Sequence, residues 1–154
     1  MDSRTYPERP ITGVGAVVLD GDRVLIVKRA HEPLKGEWSV PGGVVDVGET
    51  LEEAIHREVR EETGLEVEVG PIVDVLDRIR YDPDGRVKFH YVLIDFLCRP
   101  LGGTLQCASD AEEAMWAERA ELGRCGVAEA TISVIDKAIA RGSTTWTPRE
   151  VHWE

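Results

Sequence analysis

Residues 41–65 read Pro41-Gly42-Gly43-Val44-Val45-Asp46-Val47-Gly48-Glu49-Thr50-Leu51-Glu52-Glu53-Ala54-Ile55-His56-Arg57-Glu58-Val59-Arg60-Glu61-Glu62-Thr63-Gly64-Leu65. A glycine-bearing loop leads into a segment with helical start and stop signals. Thr50 suits an N-cap, Glu53 completes a capping box three residues later, and Gly64 stands where a left-handed C-terminal residue belongs. The predicted helix runs from Thr50 to Thr63. On a wheel turning ~100° per residue, Glu58, Glu61 and Glu62 share one side, at i, i+3 and i+4. Leu51, Ala54 and Ile55 fall on that side too, whereas Glu52, Glu53, His56 and Arg60 fall opposite. A plain solvated acidic face would set every glutamate opposite the apolar stripe. Here three carboxylates adjoin the face that has to be covered, where they repel one another and lose hydration. A hard divalent cation, Mg2+ or Mn2+, relieves that cost because carboxylate oxygens are its preferred ligands. The competing reading of the spacing alone is a charged surface helix.

The loop before the helix favours the cation. Glycines let backbone approach a ligand closely and expose carbonyls that can ligate a metal. Arg57 is spaced to pair with Glu49 and hold the loop against the helix, the bland alternative being a surface ion pair worth at most ~1 kcal/mol.

Outward from this segment, Ile11–Leu19 and Arg23–Lys28 are β-branched runs joined by Asp20-Gly21-Asp22, a hairpin signal. Trp38–Pro41 reads as a short extended piece, and Pro41-Gly42-Gly43 as a break in regular structure. Leu65–Leu76 and Lys88–Leu97 are predicted strands around the turn Asp82-Pro83-Asp84-Gly85. A short strand is expected at Thr104–Cys107 and another at Ala111–Ala117. Val127, Ala130, Val134, Ile135, Ala138 and Ile139 recur at helical spacing, which predicts a second helix over Gly126–Arg141. Strands dominate and helices are interspersed, so the fold class is α+β or a layered α/β/α arrangement. We read one domain over residues 1–142 and a tail over 143–154, with Trp146 and Trp153 available to dock it.

The chain of 154 residues is long enough to bury a core. Its formal net charge of -11 argues against general nucleic-acid binding and against docking on an anionic membrane. It leaves a phosphate-bearing substrate open, because a bound cation inverts local charge. The N-terminal segment lacks the apolar core of a secretion signal, which predicts a cytoplasmic location. Cys98, Cys107 and Cys125 show no C-x-x-C pair and read as ordinary reduced thiols.

Gly43, then Glu49 after five residues, then Arg57-Glu58-Val59-Arg60-Glu61-Glu62-Thr63-Gly64-Leu65 after seven more, resembles a Nudix box with every defining position filled. The resemblance implies an α/β/α sandwich with a mixed central sheet, and cleavage of a phosphoanhydride in a nucleoside diphosphate linked to another group. It implies Glu58, Glu61 and Glu62 as side-chain metal ligands, Gly42 as a backbone-carbonyl ligand, and Arg57 with Glu49 as the orienting pair. Mg2+ is the implied cation, with Mn2+ as a substitute. The general base varies in the family. Glu112-Glu113-Ala114-Met115-Trp116 resembles the family's late strand, where an acidic residue returns toward the metal; Glu113 is the candidate and Glu112 the alternative. In relatives a basic residue at the place of Arg29 touches substrate phosphate; a solvent-facing strand end is the competing reading. Trp38 reads as a packing residue at the root of the glycine loop, with base stacking as the alternative. A homodimer is the assembly common among relatives.

Asp84-Gly85-Arg86-Val87-Lys88-Phe89-His90-Tyr91-Val92 is similar to bacterial members that act on ADP-ribose. The expected function is therefore Mg2+-dependent hydrolysis of ADP-ribose or a related nucleoside diphosphate sugar. The alternatives are a nucleotide-sanitising (d)NTP pyrophosphohydrolase and a non-catalytic nucleotide-sensing module, the latter disfavoured by the intact box.

Overall fold

The computed structural model describes residues 4–31, 34–106, 111–142, 146, 147 and 149–151. The expected hairpin forms from β1 (Ile11–Asp20) and β2 (Arg23–Arg29), with Gly21 in the left-handed turn position at φ 62°. β3 (Trp38–Ser39) adds to β2, and β4 (Gly42–Val44) pairs antiparallel with β1. The expected break at Pro41-Gly42-Gly43 is thus corrected: Gly42 and Gly43 lie in a strand. Their tertiary partner decides this, because Gly42 faces Gly15 across the ladder and the two backbones meet without side chains between them.

The box helix α1 (Leu51–Thr63) is capped as expected. Thr50 Oγ1 accepts from the Glu53 N–H at 3.1 Å, and Gly64, at φ 74°, donates its N–H to Arg60 O at 2.9 Å. β5 (Leu65–Tyr81) and β6 (Val87–Gly103) form a hairpin longer than the predicted Leu65–Leu76 and Lys88–Leu97. The apolar alternation fades at its polar ends, yet pairing continues there through bulges and cross-strand charges such as Arg99 with Glu68 at 2.9 Å. The expected strand at Thr104–Cys107 is corrected over Thr104–Gln106, which is irregular and ties back through Gln106 N–H to Thr63 O; Cys107 lies outside the described residues. β7 (Ala111–Glu118) pairs with β2, and α2 (Glu129–Arg141) starts three residues later than predicted. Gly126 sits at φ 81°, which no α-helix continues through.

The sheet runs β3-β2-β1-β6-β5, with β4 also on β1 and β7 also on β2; β1 and β6 are parallel and the remaining pairs antiparallel. One face buries Ala54, Ile55 and Val59 of α1 against Val14, Ala16, Val18 and Phe96. The other buries Val134, Ile135 and Ala138 of α2 against Val17, Ile26 and Leu97. This is the α+β fold, an α/β/α sandwich around a mixed sheet. Trp146 of the tail packs into the α2 layer beneath Arg99, 4.1 Å from ring to guanidinium, while Trp153 lies outside the described residues. Among the described residues no helix is long and apolar enough to cross a membrane.

Candidate active site

α1 turns two carboxylates inward against β4. Glu62, only 1% exposed, accepts the Gly42 N–H on Oε1 at 3.2 Å, while its Oε2 is buried without a partner. Glu58, 8% exposed, accepts from Arg57 Nη1 at 2.7 Å. Glycine at 43 is what admits it, since a Cβ there would stand 2.5 Å from the Glu58 carboxylate. Burial pushes both carboxyls upward, Glu62 well above the usual carboxylate range; the Arg29 guanidinium opposes this for Glu62, and Arg57 opposes it for Glu58.

Arg57 fastens the loop. Its Nε and Nη2 donate to the two oxygens of Glu49 at 2.6 and 2.9 Å, and Nη2 also reaches Val44 O at 3.0 Å. This forked grip, aided by the Asp46 N–H, holds the Glu49 carboxyl down at about 2. The pair is therefore more than a surface contact: one guanidinium ties the loop, β4 and Glu58 together.

Glu61 departs from expectation. Its side chain is 41% exposed and its nearest charged partner is Arg57 Nη1, at 3.4 Å. Sequence spacing put three glutamates on one side, but Glu61 and Glu62 are ~100° apart on the helix, and only Glu62 turns under β4. Among the described residues no three His, Cys, Asp or Glu side chains form a ready-made metal cluster. The convergent unit is Glu58 with Glu62.

Arg29 leaves the solvent-facing reading behind. Its Nη1 donates to Gly42 O at 3.1 Å and its Nη2 to Val40 O at 3.3 Å. It occupies one side of the carbonyl expected to ligate the metal, and a carbonyl oxygen has two lone pairs. Glu113 is not brought to the carboxylates. It is 61% exposed, stands 3.6 Å from Lys28 Nζ, and lies outside the cavity described below. Strand alternation groups it with Met115 and Ala117, on the α2 side. Glu112 is the extra residue of a bulge, between the pairs Lys28↔Glu113 and Arg29↔Ala111, and its side chain lies outside the described residues. Trp38 packs into the α2-side core.

A cavity of about 300 Å³ opens beside Glu58 and Glu62 and continues over the α2 face of β1, β6 and β5. Arg4, Arg29, Arg78 and Arg80 line it, a cationic lining in a chain of net charge -11. Sequence reasoning passed over Asp95, which is 6% exposed and lines the same cavity. The available signal was an acid inside the apolar run Val92-Leu93-Ile94-Asp95-Phe96-Leu97, since buried unpaired carboxylates are rare.

The donor set suits a hard divalent cation. The two buried carboxylates, of which Glu62 carries the orphaned oxygen, and the Gly42 carbonyl form an all-oxygen set, and burial leaves that one oxygen unsatisfied. The family model described as NUDIX domain matches residues 9–139, and the chain belongs to that family. It is 38% identical over 105 residues to an ADP-ribose pyrophosphatase of Methanocaldococcus jannaschii, covering 68% of this chain and 60% of that protein. It is 35% identical over 105 residues to an 8-oxo-dGDP phosphatase of Homo sapiens, covering 66% of this chain and 30% of that protein. The chain thus spans less than two thirds of either relative. A crystal structure of a MutT NUDIX hydrolase from Burkholderia pseudomallei superposes with a TM-score of 0.72 at 30% identity, covering 84% of this chain and 98% of that one.

Proposed function

We propose that the protein is a Mg2+-dependent hydrolase of a phosphoanhydride bond in a nucleoside diphosphate derivative, and that its substrate is ADP-ribose or a related nucleoside diphosphate sugar. The observation that carries this is the buried Glu58–Glu62 pair, with an unsatisfied oxygen, at the wall of an arginine-lined cavity. Glu58, Glu62 and the Gly42 carbonyl would hold the cation, Mn2+ substituting for Mg2+, and Glu61 would join them by a change of rotamer. When bound, the cation supplies charge neutralisation at the phosphates and a more acidic water. The chain's own residues do the rest. Arg57 and Glu49 fix the loop so that Gly42 and Glu58 keep their positions. Arg29, already on the Gly42 carbonyl, offers its guanidinium edge to a phosphate, a geometry suited to forked donation. A box carboxylate would accept the attacking water's proton.

The similarity to an ADP-ribose pyrophosphatase supports the sugar-nucleotide reading. The similarity to an 8-oxo-dGDP phosphatase favours, as a second reading, a nucleotide-sanitising enzyme. A panel with Mg2+ over ADP-ribose, other sugar nucleotides, 8-oxo-dGDP and (d)NTPs separates them by product: nucleoside monophosphate with sugar phosphate, monophosphate with inorganic phosphate, or monophosphate with pyrophosphate. A homodimer belongs to the same proposal. Val75, Ile79 and Tyr81 are exposed along the edge strand β5 and offer a second copy an apolar face; sedimentation tests it. The cytoplasmic setting is supported by free thiols at Cys98 and Cys125.

A further inference from the structure

Gly42, Gly15 and Asp95 are register partners on three adjacent strands, β4, β1 and β6. Neighbouring strands lie ~4.8 Å apart, so the Asp95 backbone stands roughly 10 Å from that of Gly42, and its carboxylate, lying over Gly15, is nearer. The Asp95 carboxylate and a Val40 methyl reach into that space, over Gly15. A Cβ on Gly15 would collide with Asp95 Oδ1, and one on Gly42 would collide with Val14 O. Glycine at 15 is therefore what lets the Asp95 carboxylate lie over β1 along the cavity wall. No described residue donates a hydrogen bond to that carboxylate; its charged surroundings are Arg78 and Arg29, which favour ionisation, and Asp74 on the adjacent β5, which opposes it. Farther along the same face of β6, Tyr91 and Phe89 also line the cavity, with ring centroids 6.4 Å apart. Tyr91 is four residues from Asp95, ~13 Å along the strand.

We propose that Asp95 is the specificity residue that accepts hydrogen bonds from a sugar hydroxyl next to the diphosphate, and that it discriminates against a third phosphate at that place. An ionised carboxylate accepts only, so its ligand must bring donors. Buried beside a ligand that already carries two phosphates, it also repels further negative charge. A sugar hydroxyl meets both conditions. The aromatic end of the cavity, at Tyr91 and Phe89, is left for the base. The inference rests on the sugar-nucleotide reading above and assigns a residue to it.

The test measures kcat/KM for ADP-ribose and for ATP, with Mg2+, on wild type, Asp95→Asn and Asp95→Ser. Losing a charged acceptor costs ~10–100-fold where the hydroxyl is bound. ADP-ribose should lose that factor in both variants, mostly in KM, while ATP stays within about threefold or improves. A side chain that only supports the fold would lower both substrates alike, and that result overturns the proposal while leaving the sugar-nucleotide reading intact. A wild-type enzyme that prefers ATP to ADP-ribose overturns the substrate reading itself, and this assignment with it. Should Asp95→Asn fail to fold, the smaller Asp95→Ser carries the same comparison.

Discussion

At the level of single residues, the chemistry of the site depends on which carboxylates are buried and what they face. Glu58 and Glu62 lie under β4, Glu61 lies outside, and Glu113 pairs with Lys28 near solvent. Glu113→Gln should therefore keep kcat within a few-fold of wild type in a steady-state assay. A fall of ~10²–10⁴, the loss typical of a general base, would return it to the catalytic site. Asp95 yields a pH prediction. Burial raises its carboxyl from 3.8 to about 6. A folded value above the unfolded one means that the stability gained is fully present below about 3.8 and is lost as pH rises through about 6. Above that range the ionised group costs about 3 kcal/mol. Asp95→Asn should raise the melting temperature at pH 8 by several degrees and by much less at pH 4. An equal gain at both pH values would place its cause elsewhere than in this carboxyl's charge.

At the scale of elements, α1 and β4 form one device. The helix is held by its Thr50 cap and its apolar stripe, and it delivers two glutamates to a strand whose glycines leave room for them. Gly43→Ala should break that fit, because the added methyl meets the Glu58 carboxylate at 2.5 Å. Gly43 has no left-handed φ, so the cost is steric and local to the site. Activity should drop at least tenfold while the far-ultraviolet circular dichroism stays native. A normal rate would show that Glu58 need not occupy this position.

At the scale of the whole molecule, the site is a place where folding concedes stability. Two carboxyls are buried together, burial disfavours the charged form of each, and a cation would offset that cost. In chelator, Glu62→Gln should melt higher than wild type. Saturating Mg2+ should stabilise wild type by ~2.7 kcal/mol at a hundredfold excess over Kd and the variant by much less, as calorimetric melts would show. What the sequence made legible follows the same division of scales. α1, its caps, the β1–β2 hairpin and the Arg57–Glu49 tie depend on neighbours close in the chain or on one helical period. Pro41-Gly42-Gly43 reads as a break in the sequence because Gly42 and Gly43 become a strand only through β1. Asp95 was missed because its meaning lies in a register that brings Gly15 and Gly42 beside it. Glu113 keeps the alternation of Met115 and Ala117, a facing that depends on the β2–β7 register, and the bulge begins only beyond it, at Glu112.

The Glu58–Glu62 pair would hold the cation on which phosphoanhydride hydrolysis depends. The measurement that bears on it most directly is the initial rate of AMP release from ADP-ribose across an Mg2+ titration, run on wild type and Glu62→Gln. Wild type should show no turnover in excess EDTA and a rate that saturates with millimolar Mg2+, and Glu62→Gln should be slower by about a hundredfold or more, because metal-assisted charge stabilisation is worth several kcal/mol. Full turnover in EDTA, or a Glu62→Gln enzyme as fast as wild type, would contradict it.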